Sequence, residues 1–265
     1  AEKKDKLVSL ELIVPVYNEE EVLPQLIQRI QNTFSPDARK KYGISSISLL
    51  FIDDGSQDQS VNKIKTHIPP ELPTKIIRFS RTFGHQSGIT AGMKHCTSDL
   101  IAILDADLQD PPEVICQMIE KWHQGYEIVY GVREKRKEGL LKVFCYWLFY
   151  RIYAFLSPID VSTDSGDFCL MSKRVIKEIN KLTETIRFHR GLRSWVGFRQ
   201  IGLPYERAKR EKGQSKYDFR KLYKLATNGI ASMSTRPLQI TQILSLLFLF
   251  FSIAVSLILP FFPIN

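Results

Sequence analysis

The sequence predicts an α/β fold: a Rossmann-like, mostly parallel sheet with helices on both faces, then interfacial helices and a C-terminal transmembrane helix. Three observations predict it. Short apolar runs alternate with helix-patterned segments four or five times over residues 7–132, the mark of strand–helix–strand units. Three of those runs end in acids, and strand C-termini in an open α/β sheet share one ligand-binding edge. Finally, Ile243 to Leu259 holds seventeen residues without a charge. With its uncharged flanks, at ~1.5 Å per residue, that run spans a ~30 Å hydrocarbon core.

Leu7 to Val16 is apolar and β-rich, the first strand, and leads into Asn18-Glu-Glu-Glu21. Asn18 is expected to cap a helix running from Glu19 to Phe34, with Val22, Leu23, Leu26, Ile27 and Ile30 at helical spacing. Ser35 to Tyr42 reads as a polar connection. Ile47 to Ile52 is the second strand and ends in Asp53-Asp-Gly-Ser-Gln-Asp58, where Asp-Gly signals a turn. Ser60–Ile68 is a short helix, Lys75–Ser80 the third strand and His85–His95 a small-residue helix. Asp99 to Leu104 is the fourth strand, followed by a helix over Pro111–Gln124 and a strand over Tyr126–Val132.

Beyond a charged hinge at 133–139, Leu140 to Leu156 is aromatic-rich with only Lys142 and Arg151 charged. It suits a helix in the membrane interface or a buried core helix equally. Phe168–Met171 is a strand, Lys173–Leu182 a helix, Thr183–Trp195 another, and Phe198–Tyr205 a strand. A basic loop, Glu206 to Tyr217, precedes an amphipathic helix over Phe219–Met233.

The net charge of +9 calls for an anionic partner. Many of the basic residues lie just before the apolar run, which places residues 1–237 in the cytoplasm by the positive-inside rule. Charge in that position points to a membrane surface, and no nucleic-acid motif is present. The four cysteines form no CxxC pair, which fits a reducing compartment. No signal peptide is read at the N-terminus. A homo-oligomer is compatible with all of this.

The chemistry centres on Ile101-Ala-Ile-Leu-Asp-Ala-Asp-Leu-Gln-Asp-Pro-Pro112. Asp105 and Asp107, one residue apart at a strand end, repel each other at neutral pH. A divalent cation relieves that repulsion, and carboxylate oxygens suit Mg²⁺ or Mn²⁺ shared with substrate phosphates. The bland reading is a solvated acidic turn before a helix N-terminus. No GxGxxG follows the first strand, so the dinucleotide fingerprint is missing.

Six stretches in order carry a family resemblance: VPVYNEEE (14–21), DDGSQDQS (53–60), SRTFGHQSG (80–88), DADLQDPPE (105–113), GDFCLMSKRV (166–175) and RAKREKGQSKY (207–217). They resemble inverting family 2 glycosyltransferases of the GT-A fold, of the polyprenyl-phosphate subgroup that acts on dolichyl or undecaprenyl phosphate. Departures are local: Thr82 stands where the family often has Asn, and Cys96-Thr-Ser98 where it has Ala-x-Gly.

The resemblance implies roles. Pro15, Tyr17 and Glu19 would line the nucleotide pocket, Asp53 would hold the base and Asp54 the ribose region. Arg81 would face the diphosphate or base, Asp105 the sugar or ribose, Asp107 the metal, and Gln109 would orient the donor. Asp167 sits where the family places a candidate base near the acceptor. Arg207, Arg210, Ser215 and Lys216 would clamp the acceptor phosphate.

Residues 1–217 would form the cytosolic catalytic domain, 218–236 a juxtamembrane helix, and 237–265 a span of a bacterial inner membrane, with further spans expected beyond. The expected reaction moves glucose from UDP-glucose to undecaprenyl phosphate. GDP-mannose or another UDP-sugar is the alternative donor, and a non-catalytic sugar-nucleotide or lipid scaffold the alternative role. A processive polysaccharide synthase would need a Gln-x-x-Arg-Trp motif, which is missing.

Overall fold

The computed structural model describes residues 7–133, 165–184, 187–207 and 236–258. Two compact units divide the chain. In the first, the elements run β1 (Val8–Val16), α1 (Leu23–Thr33), α2 (Pro36–Tyr42), β2 (Ile44–Asp53), α3 (Ser60–His67), β3 (Thr74–Arg78), α4 (His85–His95), β4 (Leu100–Ile103), α5 (Glu113–His123) and β5 (Ile128–Arg133). They continue with β6 (Ser165–Ser172), α6 (Lys173–Lys181), α7 (His189–Trp195) and β7 (Gln200–Tyr205).

The seven strands form one sheet in the order β3-β2-β1-β4-β6-β5-β7. β1 pairs in parallel with β2 on one side and β4 on the other, so the chain reverses its direction of travel across the sheet between them. That reversal leaves a crevice at the strand C-termini. β6 is antiparallel to both β4 and β5, and β7 is parallel to β5.

Both faces of β1 are covered, which is why its sequence is near-continuously apolar. Leu10, Leu12 and Val14 join α1 and α5 in one core. Ile13 points the other way, where a Cβ on Gly92 of α4 would come within 2.4 Å of its Cγ2. A glycine therefore lets α4 lie close against the strand. Each fully buried leucine or isoleucine in these layers contributes roughly 1.5–3 kcal/mol from apolar burial.

Local expectations need some correction. α1 begins at Leu23 with Pro24 in its first turn, and Val22 stands at its N-cap position. Asn18 does not cap it. It adopts a left-handed φ of 51° and its Oδ1 accepts the Gln57 N–H at 2.9 Å, tying two strand-end loops together. The polar connection Ser35–Tyr42 contains α2, capped by Ser35 Oγ and closed by left-handed Gly43. The helix expected over Thr183–Trp195 is confined, among the described residues, to α7.

The second unit comprises Gly139–Asp160 and Phe219–Asn265. Its described element is α8 (Arg236–Ile258), in which Leu238–Leu257 is long and apolar enough to cross a membrane, with a mean hydropathy of 2.2. The aromatic helix at 140–156 and the juxtamembrane helix at 219–233 lie outside the described residues.

Candidate active site

The strand directions determine what meets at the crevice. β4 ends at Ile103, which pairs with Cys169 of β6. Because β6 runs antiparallel, its first residues sit at the same edge as the end of β4. Asp105, two residues past Ile103, and Asp167, two residues before Cys169, therefore face one another across the crevice. β5 pairs with both β6 and β7, so Arg133 and Tyr205 reach the same edge.

His85, the first residue of α4, lies between the two acids. Its Nε2 is 2.8 Å from Asp105 Oδ1 and its Nδ1 is 3.7 Å from Asp167 Oδ2. Burial works against the imidazolium, but the charge and hydrogen bond of Asp105 and the charge of Asp167 raise His85 to about 9. Burial likewise disfavours the Asp105 carboxylate, and the His85 cation outweighs it, holding that carboxyl below the usual range. The sequence-expected metal pair thus divides: Asp105 is ion-paired to His85, and Asp107 is held differently.

Asp107 Oδ1 accepts the Gln109 N–H at 3.2 Å, and Oδ2 lies 3.9 Å from an Arg207 guanidinium nitrogen. Between them Leu108 takes a left-handed φ of 61° with its side chain buried. Such a conformation costs a non-glycine residue about 1–3 kcal/mol and is held here by packing. The loop then turns Asp110 inward, where Tyr205 donates its hydroxyl to Oδ1 and Arg207 Nε lies 3.5 Å away. Burial and the Asp105 charge push Asp110 up to about 6.

Asp167 is almost fully buried. Oδ1 accepts from Arg190 Nε at 3.2 Å and Oδ2 from Gln86 Nε2 at 2.9 Å. Burial is outweighed by Arg190, then His85 and His189, so the Asp167 carboxyl stays well below the ordinary range. Gln86 in turn accepts the His189 N–H on Oε1 at 3.1 Å.

The nucleotide-side residues lie along the ends of β1 and β2. Pro15 is buried, and Tyr17 and Glu19 are half-buried, with the Glu19 N–H donating to Ser60 Oγ at 2.8 Å. Asp53 is fully buried, accepting the Ser56 N–H at 3.0 Å and pairing with Arg78 at 3.1 Å. Asp54 uses its two oxygens on the N–H groups of Phe83 and Gly84, at 2.7 and 2.9 Å. The contact the structure gives Asp54 is therefore to the Arg81–Gly84 loop. Gly55, at φ +74°, allows that closeness: a Cβ there would meet the Arg81 carbonyl carbon at 2.9 Å. Arg81 is exposed and stacks over the Phe83 ring. Gln109 is half-buried beside Asp107. Arg210, Ser215 and Lys216 lie outside the described residues.

Several residues at this edge had no role from sequence, among them His85, Gln86, Asp110, Arg133, Arg190 and Tyr205. His85 and Gln86 stand within the SRTFGHQSG stretch, and their polarity at the head of an otherwise small-residue helix was the available signal. Arg190 and Tyr205 carry no local signal: the pairing of β7 with β5 brings in Tyr205, and Arg190 reaches Asp167 from α7.

A divalent cation fits this donor set. Asp107 offers hard oxygen, is partly open to solvent, and stands beside cationic Arg207 where anionic phosphates are drawn. Among the described residues no group of three His, Cys, Asp or Glu side chains is arranged to hold an ion alone; Mg²⁺ is usually held by one or two carboxylates together with substrate phosphates and water.

His189 gives a prediction independent of substrate. Burial lowers it to about 4, against an ordinary value near 6.5. Neutral in the fold, it contributes stability above pH ~6.5 that is lost as pH falls towards ~4, an effect of up to ~3 kcal/mol. Asp110, pushed the other way, opposes this over the same window, so the readout is the difference: in denaturant unfolding, wild type is expected to lose stability relative to His189→Gln as pH falls between those values. Parallel wild-type and variant slopes would contradict this.

Comparison with known proteins agrees with the geometry. Over 236 residues, 89% of this chain and 71% of the relative, it is 43% identical to the uncharacterized glycosyltransferase YkcC of Bacillus subtilis (strain 168). It is 36% identical over 237 residues to the bactoprenol glucosyl transferase of Shigella phage SfX, covering 88% of this chain and 75% of that one. Glucosyl-3-phosphoglycerate synthase of Mycobacterium tuberculosis, solved with Mn²⁺, UDP-glucose and phosphoglyceric acid, superposes with a TM-score of 0.53. That likeness, at 14% identity over 85% of this chain and 78% of the other, shows the shared GT-A fold. The family model of glycosyl transferase family 2 matches residues 11–180, which run from within β1 through β6 and include every carboxylate of the crevice. The match over residues 11–180, with relatives 43% and 36% identical over most of both chains, makes the chain a glycosyltransferase belonging to glycosyl transferase family 2.

Proposed function

We propose that the chain transfers glucose from UDP-glucose to undecaprenyl phosphate, with inversion at the sugar, at the cytoplasmic face of a bacterial membrane. The observation that carries this reading is the 36% identity, over most of both chains, to an enzyme named bactoprenol glucosyl transferase. α8 supports it, since an apolar helix long enough to span a bilayer keeps an enzyme beside a lipid acceptor.

The residues divide the work. Asp54 holds the Arg81–Gly84 loop beside the nucleotide, and Asp53 fixes Arg78 at the same edge. Asp107 would hold a divalent cation, which when bound supplies charge stabilisation to the leaving diphosphate. Arg207, beside Asp107 and Asp110, adds positive charge there.

Asp167 is an anion with both oxygens engaged, so it orients cationic and amide groups and is a poor proton acceptor. The reaction does not require one. A phosphate monoester has its second pKa near ~6, so the attacking oxygen is mostly ionised at neutral pH. Its attack on the anomeric carbon forms the new glycosyl–phosphate bond as the bond to the diphosphate breaks.

The donor is tested by incubating the detergent-solubilised chain with undecaprenyl phosphate, Mg²⁺ and one of UDP-glucose, UDP-galactose, GDP-mannose or UDP-N-acetylglucosamine. Mass spectrometry of the lipid phase is expected to show hexosyl lipid with UDP-glucose as the strongly preferred donor. Equal or better transfer from GDP-mannose would overturn the assignment.

A further inference from the structure

We propose that His85 is a positioning residue that couples the donor side of the site to the acceptor side by sharing one side chain between Asp105 and Asp167. The naming of the two sides rests on the function proposed above. β4 and β6 are held together by backbone pairing only as far as Ile103 and Cys169. Beyond that pair the two acids stand on separate segments. Asp105 continues into the turn that carries Asp107, whereas Asp167 carries Arg190 of α7.

His85 bridges the gap at 2.8 and 3.7 Å, and its side chain is 33% exposed, so it faces the crevice. Its own position is well determined. Asp54 at the end of β2 takes the N–H groups of Phe83 and Gly84 immediately before it, and Gln86 immediately after it holds the same Asp167 oxygen. A short contact on one side and a long one on the other means that the imidazole cannot approach Asp167 without loosening Asp105. A nucleotide that alters the surroundings of Asp105 therefore alters Asp167 and the groups it orients, and the reverse holds by linkage.

The test is a double-mutant cycle read on nucleotide affinity. The full chain in detergent is titrated calorimetrically with UDP and, in parallel, GDP, each with Mn²⁺, for wild type, Asp167→Asn, His85→Gln and the double variant. Asp167→Asn is expected to change the Kd about threefold or more when His85 is present, and by less than about 1.5-fold with Gln at that position. Equal shifts in the two backgrounds would mean that Asp167 acts on the nucleotide directly, and no shift in either would mean no coupling; each overturns the proposal. Cooperative thermal unfolding checks every variant. If Asp167→Asn does not fold, Asp167→Glu, which moves the carboxylate by one methylene, enters the same cycle. GDP binding in place of UDP would overturn the donor assignment while still reading the coupling.

Discussion

Asp107→Ala is expected to lower turnover by about 10²–10³-fold, the range for losing one element of transition-state charge stabilisation. The fold should survive. The side chain is partly exposed, and its backbone partner is the neighbouring Gln109, so the lost hydrogen bond costs only ~1 kcal/mol. The decisive readout is nucleotide binding. In wild type, EDTA should weaken UDP affinity. In Asp107→Ala, affinity should be low with or without EDTA, and added Mn²⁺ should not restore it. Arg207 bears on the same point: with Asp107 gone it retains Asp110, so charge at the edge persists while the cation site is lost. Full turnover by Asp107→Ala would contradict the enzyme reading and favour a binding scaffold.

Asp167→Asn is the second large effect, expected to lower kcat by roughly 10²-fold through misplacement of catalytic groups. An amide cannot balance the charges of Arg190 and His85, although it retains the shape. The pH profile separates positioning from base catalysis. With the Asp167 carboxyl held well below the usual range, it stays ionised across pH 5–8. A rise of rate with pH through ~6 then comes from ionisation of the acceptor phosphate or of Asp110, and should appear with the same midpoint in wild type and Asp167→Asn. An acid limb present in wild type and absent from the variant would show Asp167 accepting the proton. Asp167→Glu, which keeps the charge, is expected to recover part of the loss.

The strand edges were legible because parallel strands buried on both faces must be apolar and must end abruptly. Val16, Asp53 and Leu104 mark those ends to within a residue. The direction of β6 was not legible, since Phe168–Met171 reads the same either way and only its pairing with Ile103 and Tyr130 decides it. That direction brings Asp167 to Asp105. The caps of α2 were present in Ser35, Pro36 and Gly43, and the charge of the segment hid them. Asn18 was misread because its partner is 39 residues away, beyond any local capping pattern. The same holds for the site. Asp105 and Asp107 announce themselves by spacing, whereas the partners of Asp167 come from α4 and α7, 81 and 23 residues distant. Arg81 was read as a ligand contact and Asp54 as facing the ribose, whereas the hydrogen bonds of Asp54 to the loop after Arg81 became visible only in three dimensions.

The most direct measurement concerns the acceptor. The chain, reconstituted in bilayers containing undecaprenyl phosphate, would receive UDP-glucose labelled in the sugar, with Mg²⁺, and a parallel sample would receive soluble 3-phosphoglycerate in place of the lipid. The expected result is label in the lipid phase as glucosyl undecaprenyl phosphate, abolished by EDTA, with no transfer to phosphoglycerate. Label on the soluble acceptor, or none on the lipid while free glucose accumulates, would contradict the lipid-phosphate reading.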